Sequence, residues 1–379
     1  MKVGKQTRPR DLWGDCDERG GTKLRILISG ICGFVGSAIA RALHECDADL
    51  QISGFDNFIR PGSETNRLML HRLGIDVVHA DVRSATDVEA LPPAELVLDA
   101  AANPSVLAGV DGLSSSRQVV EHNLMGTVNL LKFCRRHRAA FTLLSTSRVY
   151  SIKPLANLPI VERDSAFVPD NSMPFPPGLG NEGVSEQFST APPTSLYGST
   201  KVASEHLALE YGATFDFPVW INRCGVLAGA GQFGRPDQGI FSFWINSWLR
   251  RRPLKYIGFG GRGFQTRDCL QPRDLVPLLR KQWDEPLDSS QPRLVNVSGG
   301  KANSISLAQL SRWCGERFGP REVGVDAAPR PFDVPWMVLD SSLARKTWDW
   351  TVETSLPSIL EEIASHAEAH ESWLELSEP

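Results

Sequence analysis

The sequence predicts an α/β protein: a doubly wound parallel sheet with a smaller, interwoven C-terminal α/β domain. Short, almost wholly apolar runs alternate with amphipathic stretches of helical period through the first half. That is the pattern of βαβ crossovers in a sheet covered on both faces. A glycine-rich turn stands where the first apolar run passes into the first helical stretch. The length of 379 residues suits two domains.

Residues 1–23 mix charge and glycine without periodicity and are expected to form a flexible N-terminal extension. Strand LRILIS opens the ordered chain at Leu24, and VGSAIARALHE is the first helix. Strand LQISGF ends at Asp56. A helix around Glu64–Leu73, strand IDVVHA, a short helix near Ala85–Ala90 and strand ELVLDAA continue the alternation. A long amphipathic helix is expected from about Ser116 to Arg136, with Val120, Leu124, Val128 and Leu131 on one face. Strand FTLLST ends at Thr146. The Pro-rich segment 151–195 breaks the rhythm and reads as a loop, far longer than the usual connection of ~2–6 residues. A helix bearing Tyr197 follows, then strand FPVWINR. The remainder is less regular, with helices at Ile240–Arg250, Leu275–Trp283, Leu307–Phe318 and Leu356–Ala369. The nucleotide-binding domain is expected over 24–224 with a return near 270–300, and the substrate domain over 225–269 and 301–379.

Lys+Arg 40 against Asp+Glu 44 leaves a net charge of −4, which excludes a basic field for nucleic acid or an anionic membrane. No apolar stretch approaches the ~20 residues of a bilayer span, and Met1–Lys23 lacks the apolar core of a signal peptide. Seven scattered cysteines without a CxxC pair read as reduced thiols, so a cytoplasmic location is expected. The eight histidines show no ligand spacing, and no metal is expected.

Three motifs carry chemistry. Ser29-Gly30-Ile31-Cys32-Gly33-Phe34-Val35-Gly36 is a GxxGxxG between strand and helix. Its glycines let backbone approach a pyrophosphate, whose charge is met by amides of the helix N-terminus. Asp56, twenty residues beyond Gly36, stands where an acid bonds the ribose hydroxyls of adenosine and repels a 2′-phosphate. NAD is therefore favoured, with Arg60 leaving NADP open. The second motif is Tyr197-Gly198-Ser199-Thr200-Lys201. Positions i and i+4 share a helix face, so the Lys201 ammonium is expected to lower the Tyr197 pKa toward that of a general base. The third is Thr146, at the strand end where ligands of open α/β sheets gather.

Together with Asp81, these motifs resemble the extended short-chain dehydrogenase/reductases, the Rossmann-fold sugar-nucleotide epimerases and dehydratases. The resemblance runs from about Leu24 to Ala369. FDNFIRPGSETN, QFGRPDQG, FQTRDCLQPRDL and NVSGG followed by NSISL are similar to the members that invert C2 of a nucleotide-linked hexose. The resemblance implies NAD as cofactor, a nucleotide-diphosphate sugar as substrate, and a homodimer. It implies that Asn57, Asp81, Val82 and Ala100–Ala101–Ala102 lie along the cofactor and that Asn123 braces the site. It implies substrate contacts from Asn103, Ser147, Arg148, Gln232, Asp237 and Gln238, with Arg267 and Arg330 on the diphosphate. A bidentate guanidinium suits phosphate, although an inter-domain salt bridge is the alternative for each arginine. Trp244, Trp248, Phe241 and Phe243 are expected to be core or dimer packing. Dehydratases of this family place an Asp-Glu pair after the catalytic hydroxyl; Ser147 and Arg148 stand there instead. The expected reaction is thus epimerisation at C2 by Thr146, Tyr197 and Lys201, with C4 as the alternative. A catalytically silent NAD-binding regulator is the non-enzymatic alternative.

Overall fold

The computed structural model describes residues 24–110, 112, 115–236, 238–284 and 291–377. The expected N-terminal extension lies outside them.

Seven strands form one wholly parallel sheet. They are β1 (Arg25–Ser29), β2 (Gln51–Asp56), β3 (Asp76–His79), β4 (Leu96–Asp99), β5 (Ala140–Thr146), β6 (Val219–Cys224) and β7 (Leu294–Val297). Their spatial order is β7-β6-β5-β4-β1-β2-β3. Alternate residues of a strand face opposite sides, and both sides are covered. Ile26 and Ile28 pack with Leu279 and Trp283 on one face, while Leu27 packs with Leu130, Phe141 and Leu143 on the other. This double burial is why these strands read as continuous apolar runs rather than alternating ones. The chain order reverses between β1 and β4, so their carboxyl ends open a crevice.

A second, smaller unit stands over that edge. Strand Thr266–Leu270 pairs with Val226–Leu227, Ser304–Ser306 and Trp336–Met337. Trp244, Ile245 and Trp248 pack there with Leu310, Ile359 and Ile363.

Two expectations need correction. The segment 151–195 is not a plain loop. It holds a short helix Ile152–Ala156 and two hairpins, Ile160–Arg163 with Ala166–Pro169 and Leu179–Gly180 with Gly183–Val184. Phe167, Leu179, Val184 and Phe188 are buried there, so the segment is anchored by apolar packing that its prolines hide. The helix after β4 also departs from one continuous face. Ser116–Val120 and Gly126–His137 are α-helical, but Glu121–Met125 between them is a π-turn, with the Gly126 amide bonded to the Glu121 carbonyl. The wider turn shifts the phase of the face. Val120 is 38% exposed, Leu124 and Val128 are half-buried, and Val119, Asn123, Thr127 and Leu130 point inward.

Candidate active site at the carboxyl edge of the sheet

The glycine turn joins β1 to helix Phe34–Cys46. Gly30 has φ +63°, and a Cβ there would stand 2.9 Å from Ala101 Cα. A Cβ on Gly36 would press into the Gly30 carbonyl and stand 2.8 Å from Ile31 Cα. The glycines therefore bring the β1 and β4 turns together at the switch point and keep a cradle that side chains would fill. Gly36→Ala is expected to empty the site of NAD and to cost about 1–3 kcal/mol by overpacking. Cofactor content after purification and a urea titration check both effects.

A cavity of about 400 Å³ runs along this edge. Gly30, Gly33, Phe34, Val35, Gly36, Asp56, Asn57, Arg60, Val82, Ala100, Ala101, Ala102, Thr146, Ser147, Arg148, Tyr197, Gln232 and Gln238 all line it. Asp56 is 8% exposed; its oxygens accept from the Cys32 amide at 3.0 Å and the Phe58 amide at 2.8 Å. Burial pushes its pKa up, against the pull of these amides. The Gly33 amide acts on it as well, so only part of the carboxylate's roughly four lone-pair sites stays open. Gln232 donates to the Leu227 carbonyl at 2.6 Å, while its Oε1 is buried without a partner. An unmatched acceptor, an acid and a glycine cradle on one wall fit a dinucleotide. Arg60 lines the cavity with its guanidinium held within the fold. Its guanidinium is engaged by Gln238 and by the Phe233 carbonyl at 3.1 Å, and it lies over the Phe233 ring.

Four expected residues stand off the cavity wall. Asp81 lies between the lining residues Ala80 and Val82. It is a hub for Arg83 and Asn57, whose bonds outweigh burial and hold its pKa low. Asn103 has its backbone clamped by Asn123, with Oδ1 accepting its amide at 2.8 Å and Nδ2 donating to its carbonyl at 3.1 Å. Asn123 thus acts through Asn103 and through Thr200, to which it also donates at 3.2 Å. Lys201 is 2% exposed and behind the wall. Asp237 lies outside the described residues.

Thr146 ends β5 and lines the same cavity as Tyr197, and its side chain draws the Tyr197 pKa down. The helix Ser195–Phe215 presents Tyr197, 6% exposed, from its first turn. The phenol pKa is not lowered as expected: burial raises it to about 12, and the Thr146 side chain and the Arg148 charge draw it back only in part. Burial also lowers the Lys201 pKa, opposed by the charges of Asp99, Glu205 and Cys224. Asp99, at the end of β4, has a role that no motif assigned to it. It accepts from Ser29 Oγ at 2.8 Å and Thr127 Oγ1 at 2.9 Å, and it answers a buried ammonium that would otherwise be too costly. Its signal was an acid at the end of an apolar strand.

A second cavity of about 390 Å³ adjoins the first, sharing Val106, Arg148, Val226, Gln238 and Gly239. Arg267 and Arg330 line it with Lys255, Asp333 and Phe332. Arg267 donates to Asp333 at 2.7 Å and to the Val334 carbonyl at 2.8 Å, and Arg330 donates to the Pro236 carbonyl at 3.1 Å. Phe241, Trp244 and Trp248 are core residues as expected, but Phe241, Phe243 and Trp244 also wall this cavity. Phe332 and Val106 are lining residues that no motif marked. Among the described residues no group of three His, Cys, Asp or Glu could hold a metal ion, and no helix is long and apolar enough to cross a membrane.

The chain is similar to known proteins along most of its length. CDP-paratose 2-epimerase of Salmonella typhi is 27% identical over 297 residues, 76% of this chain and 82% of that protein. UDP-glucuronate 4-epimerase 4 of Arabidopsis thaliana is 25% identical over 354 residues, 88% of this chain and 72% of that protein. Among solved structures, the Bacillus cereus UDP-glucuronic acid 4-epimerase with UDP-glucuronic acid and NAD superimposes with a TM-score of 0.68 at 23% identity, covering 91% of this chain and 99% of that one. The dTDP-glucose 4,6-dehydratase of Bacillus anthracis, in complex with NAD, gives 0.70 at 18% identity, covering 94% and 100%. The model of the NAD dependent epimerase/dehydratase family matches residues 26–298, well over half of the chain. A glycine cradle with a strand-end acid, a Thr–Tyr pair beside it and this match lead to one conclusion: the chain belongs to the NAD dependent epimerase/dehydratase family.

Proposed function

We propose that this enzyme is a nucleotide-sugar epimerase that inverts C2 of a nucleotide-linked hexose through a transient ketosugar. The observation that carries the reading is Thr146 and Tyr197 together on the wall of the first cavity, with Ser147 and Arg148 directly after Thr146 and Arg148 shared with the second cavity. Elimination of water would need an acid and a base there, and neither residue is a carboxylic acid. The first cavity takes NAD along Gly30–Gly36 and Asp56. The second takes the nucleotide diphosphate against Arg267 and Arg330. The sugar then lies at the junction, beside Tyr197.

Bound NAD supplies the reversible hydride acceptor for oxidation of the carbinol carbon and its reduction from the other face. The chain's part is proton handling and exclusion of water. The Tyr197 oxygen takes the hydroxyl proton and returns it after the ketosugar has turned, so no net redox change results. Thr146 holds the same substrate oxygen in line. Tyr197 and Lys201 are both buried, which strengthens each of these interactions.

The C2 reading draws on the Gln232–Gly239 element and the 2-epimerase relative. The 4-epimerase relatives support C4 of a nucleotide-linked uronate as a second reading. Incubation in deuterated water with CDP- and UDP-linked hexoses and UDP-glucuronate, followed by NMR of the product, tests both. Direct hydride return leaves the inverted carbon free of deuterium; deuterium there means enolisation and overturns the mechanism. A thermal-shift series with CDP-, UDP-, GDP- and dTDP-hexoses tests the substrate class, since a ligand at 100 times its Kd adds about 2.7 kcal/mol. If none stabilises while NAD does, the nucleotide-sugar reading is wrong.

A further inference from the structure

We propose that Arg60 is a positioning residue that latches the turn around Phe233 and Gln238 onto the nucleotide-binding unit, and so sets how fast NAD leaves the first cavity. The inference rests on that cavity being the NAD site.

The cavity has walls from both units. The glycine cradle, Asp56 and Arg60 come from the seven-stranded sheet and its loops, whereas Gln232, Phe233, Gln238 and Gly239 come from the smaller unit. A dinucleotide held by the cradle and Asp56 is therefore bound to one unit and covered by the other. Arg60 stands in the loop after β2 and reaches across. Its guanidinium donates to the Phe233 carbonyl at 3.1 Å and to Gln238 Oε1, and it lies over the Phe233 ring, 5.9 Å from the centroid.

Both points of attachment sit on one closed turn. The Arg235 amide donates to the Gln238 carbonyl at 2.7 Å, and the Gln238 amide donates to the Arg235 carbonyl at 3.2 Å. Phe233, 4% exposed, is fixed to the smaller unit from one side. Trp373 stacks on it, with 5.3 Å between ring centroids and 11° between planes, and the indole N–H donates to the Gln232 carbonyl at 2.9 Å. Trp373 opens the short helix Trp373–Ser377, which an Arg252–Glu375 ion pair ties to the same unit. On its other side Phe233 meets the loop after β2, where a Cβ on Gly62 would stand 2.9 Å from the ring. The seam between the units thus runs between Phe233 and the loop of Arg60 and Gly62, and the guanidinium bonds across it. A planar fork bonded at two points holds one geometry, where a single-point donor would swivel. For NAD to leave, the seam must part and both bonds must break, and the opening of such a cover commonly limits release.

The test is release of NAD from the loaded protein without any sugar nucleotide. Protein carrying radiolabelled NAD is diluted into excess unlabelled NAD, and retained label is followed by rapid filtration. Arg60→Met keeps an apolar stem over the Phe233 ring but donates nothing. It is expected to speed release about tenfold or more, the equivalent of one charge-assisted hydrogen bond. Gln238→Leu leaves Arg60 its bond to the Phe233 carbonyl and is expected to speed release by less. The double variant should release NAD no faster than Arg60→Met, because both substitutions break the same tie. An unmodified rate in either single variant overturns the proposal. So does full multiplication of the two effects in the double variant, which would mean that Arg60 holds the cofactor directly. Gly36→Ala separates this failure from that of the cavity assignment. Loss of NAD there, with unmodified release in Arg60→Met, refutes the latch alone; retention of NAD there refutes the assignment and the latch with it.

Discussion

Tyr197→Phe is expected to lower turnover by about 10²–10⁴-fold, the usual yield of a positioned general acid–base, with NAD still bound after purification. The two effects separate for structural reasons. The substitution removes one oxygen and keeps the ring that fills the cavity wall, so the glycine cradle and Asp56, on other elements, are untouched. Thr146, beside the phenol, keeps the Arg148 amide on its hydroxyl after the substitution. Thermal denaturation should therefore change little. Rapid quench of a single turnover, with NAD content measured on the same sample, checks both halves. Full turnover in this variant would remove Tyr197 from the mechanism; loss of NAD would place it in cofactor binding instead.

What was legible in the sequence follows from how local each signal is. The glycine turn, Asp56 and the Tyr197–Lys201 spacing are set within one strand–turn–helix or one helical turn, and local sterics dictate them. The buried strands could be read for the same reason, because a sheet covered on both faces demands apolar residues throughout. The electrostatics of Tyr197 could not. The i, i+4 spacing puts Lys201 on the right face, but the ammonium is balanced by Asp99, a hundred residues earlier on another strand. The phase of the helix after β4 differs from the reading because a π-turn widens one turn, with Gly126 at its end as the one local mark, and the shifted phase delivers Asn123 and Thr127 to the site. The hairpins of 151–195 were hidden because their support comes from distant partners, such as the Phe167 amide on the Phe264 carbonyl and the Val184 amide on the Val338 carbonyl.

Glu205→Leu is expected to be among the most damaging single changes to stability, costing about 3–5 kcal/mol by leaving a buried guanidinium without its counter-charge. Glu205 is fully buried and Arg223 is 7% exposed at its side chain, and they meet at 2.6 Å. Glu205 Oε1 also accepts from Ser145 Oγ and from Arg223 Nε at 3.0 Å. Arg223 continues the chain to the Tyr150 hydroxyl at 3.3 Å, and that hydroxyl donates to Asn296 Oδ1 at 2.6 Å. The Asn296 amide in turn donates to Glu186 at 2.7 Å. One network thus ties β5, the helix of Tyr197, β6 and β7 together beneath the reacting groups. Burial alone would strip Arg223 of its charge, but the bonds and charge of Glu205 more than offset it and raise the Arg223 pKa. Removing the acid leaves the burial penalty opposed only by the weaker pull of Tyr150. The double variant Glu205→Leu with Arg223→Met should recover part of the loss, since an apolar pair of similar volume needs no counter-ion. Urea titrations of the two variants beside the unmodified protein decide the matter. A single-variant loss below about 1 kcal/mol would mean that the pair contributes no more than an exposed one.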